Sequence, residues 1–459
     1  MEVTCYGAAG EVTGSCFHLR TKQADVLIDC GLFQSGDDAT QKNIIPDSIA
    51  GKRLDGVVLT HAHLDHVGRL PLLVKTGYDR PIYGTSATLE LVELVLTDAA
   101  KVQAQDTLRL NRRLERAGRP LQTPLFTMED VARVVQLLRP LDYRHPVNIA
   151  EGVTVSLREA GHILGSASVE VRAEGRTVVF SGDIGPRNLP LLKDPEPYEC
   201  ADGVFMESTY GDRDHKPIEV TTEEFKNIVL STLTRRGKVL VPSFAVGRTQ
   251  QLLYYLAELM VSEQLEGVPI FVDSPMAARA TDIYQRHAYL FDECTQRLTD
   301  LGAVDALWKQ VQFTQTPEES MAINHVEGPA IIIAGSGMCQ AGRILHHLKH
   351  HLWREETSVI IVGYQVKGSL GRRLVDGEKR VRILGEEIAV RASIHTLGGF
   401  SAHAGQTELV DWFKKLLPCH PRAVLVHGEA VAREALRESL KSAGAPEVIL
   451  PELGSRIEF

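Results

Sequence analysis

Four apolar runs between residues 238 and 375 are each followed by a loop and a helix-forming stretch: KVLVPSFAVGRTQQLLYYLAEL, VPIFVDSPMAARATDIY, PAIIIAGSGMCQAGRILHHL and SVIIVGYQVKGSLGRRL. Near-continuous apolar strands that alternate with helices must be covered on both faces, so they predict a parallel, doubly wound sheet. Any ligand of such a sheet sits in the loops after its strands. The flanking sequence has another rhythm. Short apolar runs joined by glycine turns come first: MEVTCYGAA, SCFHLRT, ADVLIDCG and DGVVLT, then VTVSLREAGHILGSASVEVRA and RTVVFSGDIG. That rhythm returns in RVRILGEEIAVRASIHTL and AVLVHGEA. One α/β domain is therefore expected to be split, over 1–209 and 381–459, around a second domain inserted at 210–380. A chain of 459 residues is too long for one ordinary core, which fits.

Composition narrows the class. The chain is 44% apolar and 24% charged, as folded globular proteins are. The formal net charge of −9 argues against a surface coated in positive charge, without excluding a local basic cleft or bound cations. The longest apolar runs, such as AIIIA, cannot span a bilayer. The opening MEVTCYGAAGEVTG carries no basic stretch followed by an apolar one, so a cytoplasmic protein away from membranes is expected. Seven scattered cysteines without a C-x-x-C pair predict unpaired thiols.

DGVVLT delivers the stretch THAHLDHVGRL, with His61, His63, Asp65 and His66 in six positions. On an extended turn, side chains at i and i+2 point the same way, so His61 and His63 can share one cation. Asp65 and His66 can serve a second. Neither set is complete, and His162, Asp183 and His427 each follow an apolar run that can bring them in. Asp183 is the natural carboxylate to bridge two cations, and Asp29 is placed to orient ligands or the nucleophilic water.

GAAGEVTGSC, LIDCG, THAHLDH, AGHILGSAS, SGDIG, ESTYGDRDH, PSFAVGRTQ, SGMCQAGR, GFSAHA and VHGE, in that order, resemble the β-CASP branch of the metallo-β-lactamase superfamily. Its RNA-processing nucleases are akin to the 73-kDa subunit of the cleavage and polyadenylation factor. The resemblance covers nearly the whole chain. It implies a four-layer αββα sandwich with an inserted β-CASP domain, and two zinc ions per chain. His61, His63, His162 and Asp183 would hold the first ion, and Asp65, His66, Asp183 and His427 the second. Glu207, His403 and His427 match the three β-CASP motifs.

The activity so implied is hydrolysis of single-stranded RNA, as endonuclease or 5′→3′ exonuclease, with a homodimer left open. Asp65 and Asp183 leave two divalent ions with net positive charge, which attracts phosphodiester. His403 is the candidate general acid for the leaving oxygen, oriented by Glu207, with His395 as competitor. Arg248, as a planar fork, and the Ser336–Gly337 turn, through backbone N–H groups, are candidate phosphate handles in the inserted domain. Arg109, Arg112, Arg113 and Arg116 read as the solvated face of a helix over 86–117. The pairs His346/His350 and His347/His351 read as an exposed helix. Two rival functions remain: a superfamily hydrolase acting on another ester, and a non-catalytic RNA-processing scaffold.

Overall fold

The computed structural model describes residues 1–459 except 35–38, 52–53, 262–263, 301, 303–306, 309, 364 and 366–367. The chain forms two compact units. Unit 1 comprises 1–187, 194–214 and 403–459; unit 2 comprises 188–193 and 215–402.

Unit 1 holds two seven-stranded sheets. The first contains β1 (Glu2–Cys5), β2 (Phe17–Arg20), β3 (Asp25–Ile28), β4 (Gly56–Val58), β5 (Ile82–Gly84) and β6 (Leu138–Pro140), with β22 (Arg456–Glu458) beside β1. The second contains β7 (Val147–Ala150), β8 (Val153–Glu159), β9 (Ala167–Ala173), β10 (Arg176–Phe180), β11 (Gly203–Glu207), β20 (Arg422–Val426) and β21 (Glu447–Ile449). Side chains alternate across a strand, so each sheet has an inner and an outer face. The inner faces share one core, in which Val3, Leu19, Val26, Ile28 and Val58 meet Val155, Leu157, Val169, Val178, Phe180, Phe205 and Val424. On the outer face of the second sheet, Val179, Val204, Met206 and Leu425 pack against Leu409, Trp412 and Phe413 of the helix Gln406–Lys414 and Leu436 and Leu440 of the helix Ala430–Ser442. The helices Leu70–Lys75, Ser86–Arg116 and Met128–Leu137 pack together beside β5 and β6, completing an αββα order.

The helix Ser86–Arg116 buries residues of its first half, from Ala87 to Ala100. Thr85 caps it by accepting from the N–H of Thr88, and both hydroxyls donate to the carbonyl of Gly165 at 2.7 Å. Gly165 has φ +78, and a Cβ there would lie 2.6 Å from Thr85 Oγ1, so glycine is required. This contact pins the loop that carries His162. The other half of the helix, with Arg109, Arg112, Arg113 and Arg116, is solvated.

Unit 2 is built on a six-stranded parallel sheet in the order β14 (Val311–Phe313), β13 (Ile270–Asp273), β15 (Ala330–Ala334), β12 (Lys238–Pro242), β16 (Ser358–Ile361) and β19 (Ser393–Thr396). Tyr364, Val366 and Lys367, in the loop of the fourth strand–helix repeat, lie outside the described residues. Residues 381–402, read from sequence as the resumption of the first domain, belong instead to unit 2. β19 adds to the parallel sheet beside β16, and the hairpin of β17 (Arg380–Ile383) and β18 (Glu386–Ala389) packs Val381, Ile383 and Ile388 on Leu374. Alternating strands look alike in sequence whichever sheet they join, which is why the boundary was misplaced.

Unpaired thiols do not hold throughout either. Cys200 and Cys419 form a disulfide, with Cα atoms 5.4 Å apart. The parallel register of β11 and β20 sets Gly203 beside Arg422, so the residues three positions earlier meet. Cys5, Cys16, Cys30, Cys294 and Cys339 are free. Among the described residues, no helix is long and apolar enough to cross a membrane.

Candidate metal centre

The histidine and acidic side chains that the described residues gather at the centre lie in unit 1. The first sheet supplies one half. β4 leads through Thr60 to buried His61, and the short helix Leu64–Val67 sets Asp65 and His66 side by side in sequence. Asp29, just past β3, adopts φ 58. Its Oδ1 accepts from the Thr60 N–H and its Oδ2 from the Thr60 hydroxyl, both at 2.8 Å, and Oδ2 also meets His66 Nδ1 at 2.8 Å. Asp29 thus orients His66 and the histidine loop and stands outside both ligand sets. The second sheet supplies the other half: His162 between β8 and β9, Asp183 after β10, Glu207 at the end of β11 and His427 after β20.

Two constellations result. His63 Nδ1 lies 3.1 Å from both His61 Nε2 and His162 Nε2. Asp183 Oδ2 faces His61 Nε2 at 3.4 Å and His162 Nε2 at 3.5 Å. Hydrogen bonds pair one donor with one acceptor, and three mutually facing nitrogens defeat that pairing; a cation at their centre would satisfy all of them. Asp183 Oδ1 turns the other way, towards His66 Nε2 at 3.4 Å and His427 Nδ1 at 3.6 Å, while His427 Nε2 faces Asp65 Oδ2 at 3.4 Å. Within His61, His63, His162 and Asp183, and within Asp65, His66 and His427, the candidate donor atoms lie within 4.8 Å of one another. Asp183 Oδ1 is buried and has no hydrogen-bond partner. Such an orphan carries the full desolvation penalty unless a cation meets it.

The electrostatics agree with the geometry. Burial, then the neighbouring His66 charge, drive His61 well below an ordinary histidine, which leaves its lone pair available. Burial opposes the charge of Asp65, yet the His427 hydrogen bond and the nearby imidazoles bring it down to about 2. Asp183 is likewise held well below the carboxylate range: burial opposes its charge, and His427, His66 and His61 outweigh burial. His66 runs the other way. Burial disfavours its charge, but Asp183 and Asp29 hold it well above an ordinary histidine while no cation competes.

His403 is different again. Its Nδ1–H donates to the Glu207 carboxylate at 3.1 and 3.2 Å, and its ring lies 4.6 Å from that of His162. Glu207 is buried and also accepts from the Ile184 N–H at 2.6 Å, so its oxygens are committed although it lies within ligand distance of Asp183 and His427. Burial works against a charged His403; Glu207 and then Asp183 overcome it and push the pKa up to about 9. A histidine protonated at neutral pH beside the constellation can donate a proton. Phe17, Phe180 and Phe205 pack beside the centre with centroids 4.8–5.7 Å apart and give it an apolar wall.

Residues not singled out from sequence complete the site. Thr209 Oγ1 lies 3.0 Å from His427 Nδ1, and Ser15 Oγ lies 3.4 Å from His66 Nε2. Thr60 and Thr209 stand inside THAHLDH and ESTYG, so adjacency to a ligand was the available signal.

Three candidates lie in unit 2. Arg248 opens the helix Arg248–Val261 and contacts Gln251. The Ser336 hydroxyl accepts from the N–H groups of Gln340 and Ala341, and a Cβ at Gly337 would lie 2.9 Å from the Phe244 ring, so that turn is closely packed. His395 sits on β19 opposite Ile360, in unit 2 and outside the cluster of unit 1. The helix Ile344–His351 corrects another expectation. His346 and His350 are exposed, but His347 and His351 are buried, because they share the face of Ile344 and Leu348.

Models of known families match three stretches: the metallo-beta-lactamase superfamily over 9–242, the Beta-Casp domain over 249–374 and the Zn-dependent metallo-hydrolase RNA specificity domain over 387–451. The chain belongs to the β-CASP branch of the metallo-β-lactamase superfamily. Ribonuclease TTHA0252 of Thermus thermophilus is 43% identical over 457 residues, which is 100% of both chains. Transcription termination factor FttA of Methanocaldococcus jannaschii is 31% identical over 94% of this chain and 67% of its own. A solved structure of a protein of unknown function from Enterococcus faecalis V583 shares the fold at TM-score 0.59 and 14% identity, over 99% of both chains. Membership of this superfamily implies a metal ion, and the converging nitrogens with the orphaned Asp183 oxygen fit one.

Proposed function

We propose that this chain is a two-zinc ribonuclease that hydrolyses phosphodiester bonds of single-stranded RNA. Asp183 carries the reading: each of its oxygens faces a different histidine set, as a carboxylate shared by two cations must. His61, His63 and His162 with Asp183 form the first site, and Asp65, His66 and His427 with Asp183 the second. Zinc suits three-imidazole and mixed imidazole–carboxylate sets. Bound there, the ions supply activation of a water nucleophile and charge stabilisation at phosphorus.

The chain's own residues do the rest. Asp29 and Thr60 hold His66 in one orientation. Glu207 holds His403 protonated, with Nδ1 engaged, so that the ring can release a proton to the departing sugar oxygen. Arg248 and the Ser336–Gly337 turn, both in unit 2, are candidate phosphate contacts. RNA as substrate is supported by the match to an RNA specificity domain and by the relative named a ribonuclease.

The test is digestion of end-labelled RNA in 5′-phosphate, 5′-triphosphate and circular forms, beside small thioesters and phosphoesters. RNA hydrolysis that chelator abolishes and zinc restores is expected, and cleavage of the circle marks an endonuclease. Hydrolysis of small esters with RNA left intact overturns the proposal.

A further inference from the structure

The stretch from Lys101 to Thr127 in unit 1 holds six cations and two carboxylates, a net charge of +4 in a chain whose formal net charge is −9. Four of those cations, Arg109, Arg112, Arg113 and Arg116, stand at i, i+3, i+4 and i+7 in the second half of the helix Ser86–Arg116. That spacing sets them on one helical face, and all four are exposed. The opposite face carries Thr107, Asn111 and Leu114, which are half-buried because the chain turns back and runs along them. Asn111 Nδ2 donates to the Gln122 carbonyl at 2.8 Å, and Asn111 Oδ1 accepts from the Gln122 N–H at 2.9 Å. The Arg119 N–H donates to the Leu114 carbonyl at 2.9 Å. This return, 117–127, adds Arg119 and no carboxylate. The arginine stripe therefore points away from the return segment, into solvent.

Helix chemistry explains only part of the stripe. Cations in the last turn complement the carbonyl end of the helix dipole, which covers Arg113 and Arg116 but leaves Arg109 and Arg112 too far back. Ion pairing explains less. Arg109 lies 3.4 Å from Asp106, but the two are 72% and 65% exposed, so the pair contributes little. Among the described residues, Arg112, Arg113 and Arg116 have no ion-pair partner. Like charges three and four positions apart repel, so the stripe weakens the helix that carries it. An apolar partner does not fit this half of the helix either: Leu108 and Leu110 are exposed, but they stand about 200° apart around the axis and share no face. A polyanion is the complementary occupant.

We propose that this stripe binds the phosphate backbone of single-stranded RNA and holds long substrates at a distance from the metal centre, an inference that rests on the ribonuclease reading. Guanidinium forks suit phosphate, which RNA repeats along its length. The helix sets the length requirement. Thr85, which holds the loop of His162 through Gly165, is separated from Arg109 by about 36 Å of helix at 1.5 Å per residue. A strand stacked at about 3.4 Å per nucleotide needs about ten nucleotides to cover that span.

The test compares oligouridylates of about six and about thirty nucleotides on the zinc-loaded full chain, as wild type, with all four arginines changed to Gln, and with all four changed to Lys. Gln and Lys are good helix formers and the positions are exposed, so both variants fold. Binding is read by fluorescence anisotropy before cleavage products accumulate, and cleavage as KM and kcat. For the long RNA, the Gln variant should bind about tenfold or more weaker, with a salt slope about two to three lower, KM raised and kcat unchanged. Cleavage of the short RNA should be unchanged, and the Lys variant should recover most of the long-RNA affinity. Wild-type affinity for long RNA in the Gln variant overturns the proposal, and so does an equal loss in cleavage of both lengths. Polyglutamate binding that the Gln variant loses, with RNA binding untouched, assigns the stripe to an acidic polypeptide and also overturns it. Long RNA bound through the stripe but never cut removes the ribonuclease reading and leaves the stripe standing.

Discussion

Each unit buries an aspartate among histidines, and the two clusters differ in how their polar atoms are matched. In unit 2, Asp273 at the end of β13 accepts from Arg343 Nη1 at 2.8 Å, from the Ser320 hydroxyl at 2.6 Å and from Thr314, and meets His347 Nε2 at 2.6 Å. His347 Nδ1 in turn faces Asn324 Oδ1 at 3.1 Å. Every oxygen of Asp273 has a partner. In unit 1, Asp183 is as buried, yet Oδ1 has no hydrogen bond and the nearest imidazole nitrogens stand 3.4–3.6 Å away. A balanced cluster holds a fold together; an unbalanced one is built for a ligand.

Swapping the damage between the two clusters gives the largest expected effects. Asp183→Ala should lower RNA turnover by more than about 10⁴, beyond the worth of a positioned acid alone, with the melting temperature of the metal-free protein little changed. Asp273→Ala should leave Arg343 and His347 facing a void and cost about 3–5 kcal/mol of stability, read by denaturant unfolding, while zinc content per folded chain stays the same. A stable Asp273→Ala protein, or an active Asp183→Ala protein, breaks the distinction.

Much of this was legible in the sequence. The residues that converge on the centre stand at the ends of apolar runs, and a strand that delivers a histidine into its C-terminal loop can be read without coordinates. The parallel sheet of the insertion was legible for the same reason, since its strand–helix repeats are long and regular. What stayed hidden was long-range. The Cys200–Cys419 pair depends on the register of β11 and β20, 219 residues apart in sequence. The membership of β17 to β19 depends on which sheet edge was free, and the burial of His347 and His351 on what lies across from one face of a short helix. None of these is a property of a local pattern.

Within unit 1 the comparison sharpens to His403, which is hydrogen-bonded like the unit 2 network yet sits at the unbalanced centre. His403→Ala should keep its zinc and bind RNA, but lose about 10²–10⁴ in turnover. A substrate with sulfur as the bridging leaving atom needs little protonation and should recover most of that loss; zinc loss, or no relative rescue, removes His403 as the acid.

Smaller effects come from the orienting pair. Thr60→Val and Asp29→Asn should each weaken zinc affinity by about 10–100-fold, as residues that fix a ligand's ring do, measured by competition with a chelator. The smallest is a pH effect. An acid must be protonated, so turnover should fall as pH rises through about 9. Glu207→Gln removes the carboxylate that most raises this pKa, and should move the alkaline limb down by about one unit or more. An unmoved limb separates Glu207 from the acid.

The most direct measurement of the shared aspartate is zinc per chain, by elemental analysis, in the wild type and three variants. The expected result is two ions in the wild type, one each in His162→Ala and His427→Ala, and none retained tightly in Asp183→Ala. Two ions held at full occupancy in Asp183→Ala, or a single ion in the wild type, would contradict a centre in which one carboxylate joins two metal sites.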